Sequence, residues 1–144
     1  MGRSIKKPVE IGWCELLDLP ELGISKIHAK IDTGATTSSL HAVRIKHFDR
    51  DGEAWVTFKI PKSPDQPSHE CEAKVVARRK IKSSNGQMQE RTVIETAMRL
   101  GDFEWKGQMT LANRQSMAFP ILIGRRALRR GFLVNSAKRW MLGR

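Results

Sequence analysis

The residue best placed to do chemistry is Asp32, which lies in the run KIDTGATT at residues 30–37. An Asp-Thr-Gly turn after an apolar strand holds a carboxylate against backbone amides, where it can act as a general acid or base. A second motif, PILIGR at residues 120–125, is an apolar segment that leads into Gly124. Because glycine has no side chain, this segment can pack directly against the turn. The two motifs together predict one half of a site that needs two carboxylates.

A simpler explanation of the first motif is a tight turn that merely contains an aspartate, with Gly34 in a left-handed conformation. The second motif argues against it, because it lies near the C-terminus and is followed by the helix-like run RALRR at residues 126–130. Motif context of this kind raises the specificity of a short pattern.

Chain length limits how the second carboxylate can be supplied. With 144 residues the chain suits a single domain over residues 1–144, and it contains one Asp-Thr-Gly. That is too short for two lobes that each carry an aspartate. We therefore expect a homodimer, in which Asp32 and its copy meet on the two-fold axis. Two carboxylates at such close range cannot both ionise, so the pair shares one proton across a water molecule.

The balance of charge is strongly basic. Lys and Arg number 26 against 15 Asp and Glu, a net charge of +11. Such a protein attracts an anionic partner, which can be nucleic acid, a membrane surface or an acidic polypeptide. The N-terminal residues lack the apolar run of a signal peptide, two cysteines are too few for a disulfide framework, and no segment has the length of a membrane span. We expect a cytoplasmic protein with no membrane partner.

Period-two patterns dominate the chain and predict an all-β fold with one short helix near the C-terminus. Alternation over residues 26–31 predicts a half-buried strand that feeds Asp32, and Asp51-Gly52 predicts a hairpin turn. Residues 72–82 and 87–100 are predicted to be two long arms around a tip at 83–86. The other predicted strands cover residues 11–17, 54–60, 103–111, 119–123 and 132–134, and residues 61–67 form a loop.

At three places the sequence resembles the bacterial retropepsin-like aspartic proteases, a family long described as ATP-dependent zinc proteases. These are residues 31–41, 82–86 and 121–125. The resemblance implies a closed retropepsin-like barrel, a flap hairpin and a homodimer. It is strongest to members encoded beside an ATP-grasp glutamate ligase, which implies hydrolysis of the poly-α-glutamate tail that the ligase adds to a small-subunit ribosomal protein. The ligase and the ribosomal protein are then possible partners, and the basic charge suits so acidic a substrate.

The resemblance also assigns roles to residues. Asp32, Thr33 and Gly34 are the expected catalytic residues, with Thr33 steadying the turn across the dimer. The residues expected to bind substrate lie in the loop, the arms and the second motif: Ala35, Thr36, His41, Arg78, Lys80, Lys82, Ser84, Asn85, Arg125 and Arg126.

Two of these assignments have alternatives. Retroviral relatives place acidic residues where this chain has Thr36 and Thr37, and one of those acids binds the Arg of the Gly-Arg pair. Arg125 is therefore either freer to bind substrate or a residue that braces the turn through backbone carbonyls. His41 lies near the cleft or is a structural histidine.

No cofactor is expected. The four histidines and two cysteines contain neither His-Glu-x-x-His nor Cys-x-x-Cys, and the local cluster at residues 69–71 is a poor metal site. No glycine-rich loop for a nucleotide phosphate is present. We predict a metal- and ATP-independent enzyme.

The competing function is a basic module that binds RNA or the ribosome without proteolysis. Residues 78–80 (RRK) and the arginines at 125–130 could contact phosphates. The chain has no Tyr and its four Trp are scattered, so it lacks the aromatic platform on which bases stack. Nucleic acid is therefore a possible partner that the sequence favours less than an acidic peptide.

Overall fold

The computed structural model of the protein describes residues 2–82, 86–113 and 118–143. Most of its elements are strands, as the period-two patterns predict. The eleven strands are β1 Val9–Ile11, β2 Cys14–Leu19, β3 Ile24–Ile31, β4 Ser38–His41, β5 Val43–Arg50, β6 Glu53–Ile60, β7 His69–Lys82, β8 Met88–Leu100, β9 Phe103–Ala112, β10 Ile121–Ile123 and β11 Phe132–Val134. The described residues contain one α-helix, α1 Arg125–Leu128, and a 3-10 turn at Pro20–Leu22.

Six strands form a closed barrel in the order β2-β3-β10-β4-β9-β8, and β8 returns to pair with β2 at Leu17 and Leu100. Closure is possible because β8 is long: one edge pairs with β9, while the other pairs first with β7 and then with β2. Strands β7, β6 and β5 continue the sheet outward from β8. Closure leaves the six barrel strands without a free edge, whereas β5 is the outermost strand of the extension. The predicted all-β retropepsin-like barrel is confirmed.

The core fills the barrel with aliphatic side chains from alternate strand positions. Ile27, Ala29 and Ile31 of β3 are buried, whereas the intervening Lys30 is exposed. Ile121 and Ile123 of β10 are completely buried beside them. This is the period of two that the sequence shows. It determines which side chains of β3 face the core immediately before the Asp32 loop.

The segment at residues 11–17, predicted as one strand, is divided in the structure. Ile11 ends β1, which pairs in parallel with β11 outside the barrel, and β2 begins at Cys14. The division falls at Gly12, where a Cβ would overlap the Lys138 carbonyl because the C-terminal segment crosses there. The prediction of one continuous strand was therefore wrong. The strand is interrupted by the contact of Gly12 with Lys138, which lies 126 residues later in the chain.

A buried carboxylate holds the C-terminal segment in place where it crosses Gly12. Glu15 has no exposed surface, and its oxygens accept N–H groups of Gly12 at 2.7 Å, Met141 at 2.9 Å and Leu142 at 3.0 Å. Burying a charge is costly unless hydrogen bonds replace its water. These three bonds join the start and the end of the described chain on one side of the barrel.

The hairpin predictions agree with the structure. Asp51 and Gly52 both have positive φ, 51° and 79°, and join β5 to β6 in a two-residue turn, the conformation that Asp-Gly favours. Strands β7 and β8 are the two predicted arms, paired from Val75↔Ile94 to Lys82↔Met88. The predicted tip contains Ser84 and Asn85, which lie outside the described residues, as does the side chain of Lys82.

Candidate active site

The loop of residues 32–37 joins β3 to β4 at one end of the barrel, and it is fixed by backbone hydrogen bonds. The Asp32 N–H donates to the Ile123 carbonyl at 2.9 Å, which ties the loop to the end of β10. The Ala35 N–H donates to the Asp32 carbonyl at 3.2 Å and closes the turn. The half-buried Asp32 is thus held from two neighbouring strands of the barrel.

The Asp32 carboxylate has one oxygen fixed and one available. Its Oδ1 accepts the Gly34 N–H at 2.9 Å, and among the described residues Oδ2 accepts no hydrogen bond. A Cβ on Gly34 would lie 3.1 Å from Oδ1, so a side chain there would crowd the carboxylate. An amide N–H to one oxygen stabilises and orients the ionised group while the other can exchange a proton with water.

Gly124 makes the close approach that the sequence predicts. A Cβ at this position would lie 2.8 Å from the Thr37 carbonyl carbon, 2.9 Å from the Ala35 oxygen and 3.0 Å from the Thr36 carbonyl carbon. All three atoms belong to the backbone of the Asp32 loop. The φ of Gly124 is −96°, a value open to any residue, so space rather than conformation requires glycine here.

Ser38 completes this contact and was missed in the sequence analysis. Its side chain is buried, and its hydroxyl accepts the Gly124 N–H at 3.1 Å. The position immediately after the loop, in a run of small polar residues, is the only signal that could have indicated it. Ser38 therefore links the first residue of β4 to the end of the second motif.

The side chain of Arg125 is bound to the loop. Its Nη1 donates to the carbonyls of Thr33 at 3.1 Å and Gly34 at 3.0 Å, and its Nη2 donates to the Thr36 hydroxyl at 3.0 Å. Its backbone N–H donates to the Ala35 carbonyl at 2.7 Å. This is the turn-bracing arrangement, in which Thr36 replaces the acid of the retroviral pattern. The proposed contact of Arg125 with substrate stays a prediction.

The structure brings most of the motif residues together. Thr33, Gly34 and Thr36 are exposed on the loop, and Ala35 is half-buried. The backbone of Arg126 lies beside them, since its N–H donates to the Thr36 carbonyl at 3.1 Å. The Arg126 side chain is exposed.

His41 is placed apart from this group. It ends β4, where its N–H donates to the Pro120 carbonyl at 2.7 Å. Because β4 and β10 are antiparallel, Pro120 precedes the end of β10 that is remote from Gly124. Three strand residues beyond Ser38 correspond to about 10 Å. The structure does not bring His41 to the Asp32 loop.

Arg78 and Lys80 are exposed on one face of β7, two residues apart. Arg78 pairs with Glu90 of β8 at 3.5 Å, with both side chains about half exposed, 48% and 53%. Arg79 points the other way and donates to Gln108 at 3.2 Å. The arm therefore has two exposed basic side chains, Arg78 and Lys80, and Arg78 is already paired with a carboxylate.

Near the base of this arm, His47 of β5 contacts Thr92 of β8 across 2.9 Å. Burial lowers the pKa of His47, and the positive charge of Arg78 lowers it further, against an opposing effect of Glu90. The imidazole is therefore harder to protonate than an ordinary histidine side chain.

Within residues 2–82, 86–113 and 118–143, no group of three His, Cys, Asp or Glu side chains is arranged to hold a metal ion. In the weak cluster at residues 69–71, His69 is bound to Gln66 at 3.0 Å, and burial raises the pKa of Cys71 to about 11. A metal needs the thiolate, which such a pKa disfavours. Metal independence stays a prediction.

The six-stranded barrel, the Asp-Thr-Gly loop and the Gly-Arg segment packed against it define the retropepsin class of aspartic peptidase folds. The model of the RimB-like family, described as retropepsin-like aspartic endopeptidase RimB, matches residues 10–144. The chain belongs to this family of aspartic endopeptidases. None of the helices in the described residues is both long and apolar enough to cross a membrane.

Curated relatives carry a different name. A Shewanella halifaxensis protein called "Probable alpha-L-glutamate ligase" is 44% identical over 135 residues, which are 91% of this chain and 28% of that protein. A Desulfotalea psychrophila protein of the same name is 41% identical over 145 residues, 99% of this chain and 31% of its own length. The chain thus spans less than a third of the curated relatives it matches.

Among solved structures, the chain is similar to a Legionella pneumophila protein whose function is unknown. The TM-score is 0.81 with 27% sequence identity, and the match covers 93% of this chain and 98% of the other. The similarity thus extends over nearly the full length of both chains.

Proposed function

We propose that the protein is an aspartic endopeptidase in which Asp32 from each of two copies forms the catalytic pair. The observation that carries this proposal is the Asp32 carboxylate, held by Gly34 on one oxygen and open on the other, in a member of an aspartic endopeptidase family. The chain has one Asp-Thr-Gly, so the second carboxylate must come from a second copy.

In the proposed mechanism, the two aspartates share one proton across a water molecule. The ionised carboxylate removes a proton from the water, which attacks the scissile carbonyl, and the protonated carboxyl donates to the carbonyl oxygen. The tetrahedral intermediate then collapses with proton transfer to the leaving amine. Thr33 would steady the turn across the dimer, and the backbone of Gly34 and Ala35 would hold the peptide.

The dimer contact is proposed at β11. This strand pairs with β1 on one edge and has no strand partner on its other edge among the described residues. Leu133 at its centre is apolar and 59% exposed. A second copy could add strands at this edge and cover Leu133.

The proposed substrate is an acidic peptide, specifically the poly-α-glutamate tail of a small-subunit ribosomal protein. The net charge of +11 supports this, and so does the name of the relatives, alpha-L-glutamate ligase, which contain a segment similar to this chain. A ligase and a peptidase that act on one polymer would be natural partners. Arg78, Lys80, Lys82 and Arg126 are the proposed contacts with substrate carboxylates, and a ribosomal substrate implies activity in the cytoplasm.

Replacing Asp32 tests the proposal. Asp32→Asn is nearly isosteric but cannot transfer the proton, so we expect hydrolysis of poly-glutamate to be lost with the fold retained. Asp18→Asn is the matched control, because the Asp18 carboxylate also accepts a backbone N–H, from Lys26 at 2.8 Å, on another part of the barrel. Hydrolysis by Asp32→Asn at the rate of the control would refute the aspartic mechanism. Loss of turnover with EDTA and its recovery with zinc would refute metal independence.

The basic surface leaves RNA binding as the second candidate. The two functions are separated by measuring hydrolysis of a glutamate peptide and binding of a single-stranded RNA by the same preparations. A protein that binds RNA tightly and hydrolyses no acidic peptide would be the binding module rather than the enzyme.

A further inference from the structure

One peptide group joins the two ends of the Asp32 loop. Its carbonyl, that of Ile123, accepts the Asp32 N–H at 2.9 Å. Its N–H, that of Gly124, donates to the Ser38 hydroxyl at 3.1 Å. A peptide group is planar and rigid, so these two hydrogen bonds cannot change independently. Asp32 begins the loop and Ser38 is the first residue after it, which means that a single rigid unit holds the loop at both ends.

The Ser38 hydroxyl takes the place of a backbone acceptor. The antiparallel ladder between β4 and β10 covers residues 39–40 and 121–122 and ends there. Beyond it, the N–H groups of residues 125–126 donate to loop carbonyls at 2.7 and 3.1 Å. Gly124 lies between these two sets of backbone hydrogen bonds, and its N–H is bonded to a side chain instead. The contact between the two motifs is therefore complete only with a hydroxyl at position 38.

Ser38 itself is fixed by the strand on its other side. It is paired with Met109 in the parallel ladder of β4 and β9, and its carbonyl accepts the Thr110 hydroxyl at 3.4 Å. Ser38 is 3% exposed, and Gly124 is buried as well. A buried N–H that loses its acceptor is costly, so this hydrogen bond is maintained in the folded protein. The Gly124 N–H is thus tied to a residue that β9 holds in place.

The position of the Asp32 carboxylate depends on the orientation of this peptide group. The Asp32 backbone is bonded to the Ile123 carbonyl, and its Oδ1 accepts the Gly34 N–H at 2.9 Å. If the Gly124 N–H loses its acceptor, the peptide plane can rotate, and the Ile123 carbonyl rotates with it. The hydrogen bond to Asp32 then weakens, and the start of the loop is free to shift.

We infer that Ser38 is a positioning residue for catalysis, which acts on Asp32 through the peptide group between Ile123 and Gly124. In this role it contacts neither the substrate nor the attacking water. The inference rests on the proposed function for the reaction, but the link between the Ser38 hydroxyl and the Asp32 carboxylate does not depend on that reaction.

The direct test follows the backbone amide of Gly34 in nitrogen-15 NMR spectra, because this N–H donates to Asp32 Oδ1. In Ser38→Ala we expect the Gly34 signal to shift. We also expect the amides of Asp32 and Gly124 to exchange with solvent about tenfold faster or more, since both hydrogen bonds of the shared peptide group are weakened. A change confined to Gly124, with the Gly34 signal unmoved, would overturn the inference.

Two further variants show whether the hydroxyl is responsible. Ser38→Thr keeps it, and Ser38 borders a cavity of about 250 Å³ that has room for the added methyl group. This variant should restore the Gly34 signal and the exchange rates, and a Ser38→Thr protein that behaves like Ser38→Ala would contradict the inference. Should Ser38→Ala fail to fold, Ser38→Cys takes its place, because a thiol is a weaker acceptor. It should shift the Gly34 signal in the same direction, and an unmoved signal would contradict the inference.

Thr96→Val is the matched control. Thr96 is also on a barrel strand, it is 1% exposed, and its hydroxyl has no hydrogen-bond partner among the described residues. Removing this hydroxyl should leave the Gly34 signal and the activity unchanged. A Gly34 shift as large as that in Ser38→Ala would show a general effect of losing a buried hydroxyl and would contradict a specific link.

Kinetics provide a second readout. Ser38→Ala should lower kcat about 10- to 100-fold, the usual cost of displacing a catalytic group by about 1 Å. KM should change less than about threefold, because the proposed cationic contacts with the substrate lie outside the loop. Ser38→Thr should recover most of the lost kcat. A rise in KM with kcat unchanged would contradict a positioning role.

Failure of this inference and failure of the proposed function give different results. Hydrolysis that persists in Asp32→Asn overturns the proposed function. A Gly34 signal that is the same in Ser38→Ala as in the unsubstituted protein overturns the link between Ser38 and Asp32, whether or not the protein is a peptidase.

Discussion

The Asp32 loop and the β7–β8 arm differ in how their functional residues are held. In the loop, Gly124, Ser38 and Arg125 are tied to one another or to loop backbone, so each contact depends on the others. On the arm, Arg78 and Lys80 project from β7 into solvent, and Arg78 is held only by an exposed ion pair with Glu90. The loop requires particular residues at particular places, whereas the arm requires charge, and substitutions in the two regions should have different consequences.

The largest effect on stability is expected at Gly124. Gly124→Ala places a methyl group within 3.0 Å of three backbone atoms of the loop, which cannot move without disturbing β4. Overpacking of this kind costs about 1–3 kcal/mol, and we expect a lowering of Tm by several degrees together with loss of peptidase activity.

Gly52→Ala is the control for Gly124→Ala, because Gly52 has open space around it but a φ of 79°. It should be destabilised by conformation alone, with activity unchanged. An active Gly124→Ala protein of normal Tm would show that the loop tolerates separation from β10.

Replacement of Arg125 should act on activity more than on stability. Arg125→Met removes three hydrogen bonds to the loop from a half-buried side chain, and a loss of about 1–2 kcal/mol of stability is expected. Arg125→Lys should not restore activity, since an ammonium group cannot reproduce the guanidinium fork.

These Arg125 variants also separate its two possible roles. If it braces the loop, hydrolysis of neutral and acidic peptides falls equally in a comparison of kcat/KM. A loss confined to acidic peptides would instead assign Arg125 to the substrate.

The smallest effects are expected on the arm. Exposed ion pairs contribute about 0.2–1 kcal/mol each, so Arg78→Met or Lys80→Met should change KM for poly-glutamate by less than about fivefold and leave Tm unchanged. The summed attraction should be larger, and kcat/KM should fall as salt shortens the screening length below about 8 Å. Equal hydrolysis of acidic and neutral peptides, or no dependence on salt, would show that the basic surface does not contribute to catalysis.

Local patterns were sufficient to predict much of this fold. The alternation of residues 26–31, the Asp51-Gly52 turn and the close approach of Gly124 depend on neighbours in sequence or on the absence of a side chain, and all three are confirmed. The short helix and the two arms were predicted for the same reason.

Features created by distant partners were not predictable. Strand β4 is short and contains two buried serines, and it is a strand because it lies between β10 and β9, with Ser38 opposite Met109. Glu15 is buried because residues 141 and 142 supply its hydrogen bonds.

The central claim is that two copies each supply one Asp32, and subunit mixing tests it most directly. Active protein is mixed with increasing amounts of Asp32→Asn protein under conditions of subunit exchange, and poly-glutamate hydrolysis is measured at constant total concentration. If both aspartates are needed, activity falls as the square of the fraction of active chains, because only pairs of active chains turn over. A parallel series with Asp18→Asn should leave activity unchanged. A linear decrease with the Asp32→Asn protein would show that a single chain is sufficient and would contradict the account.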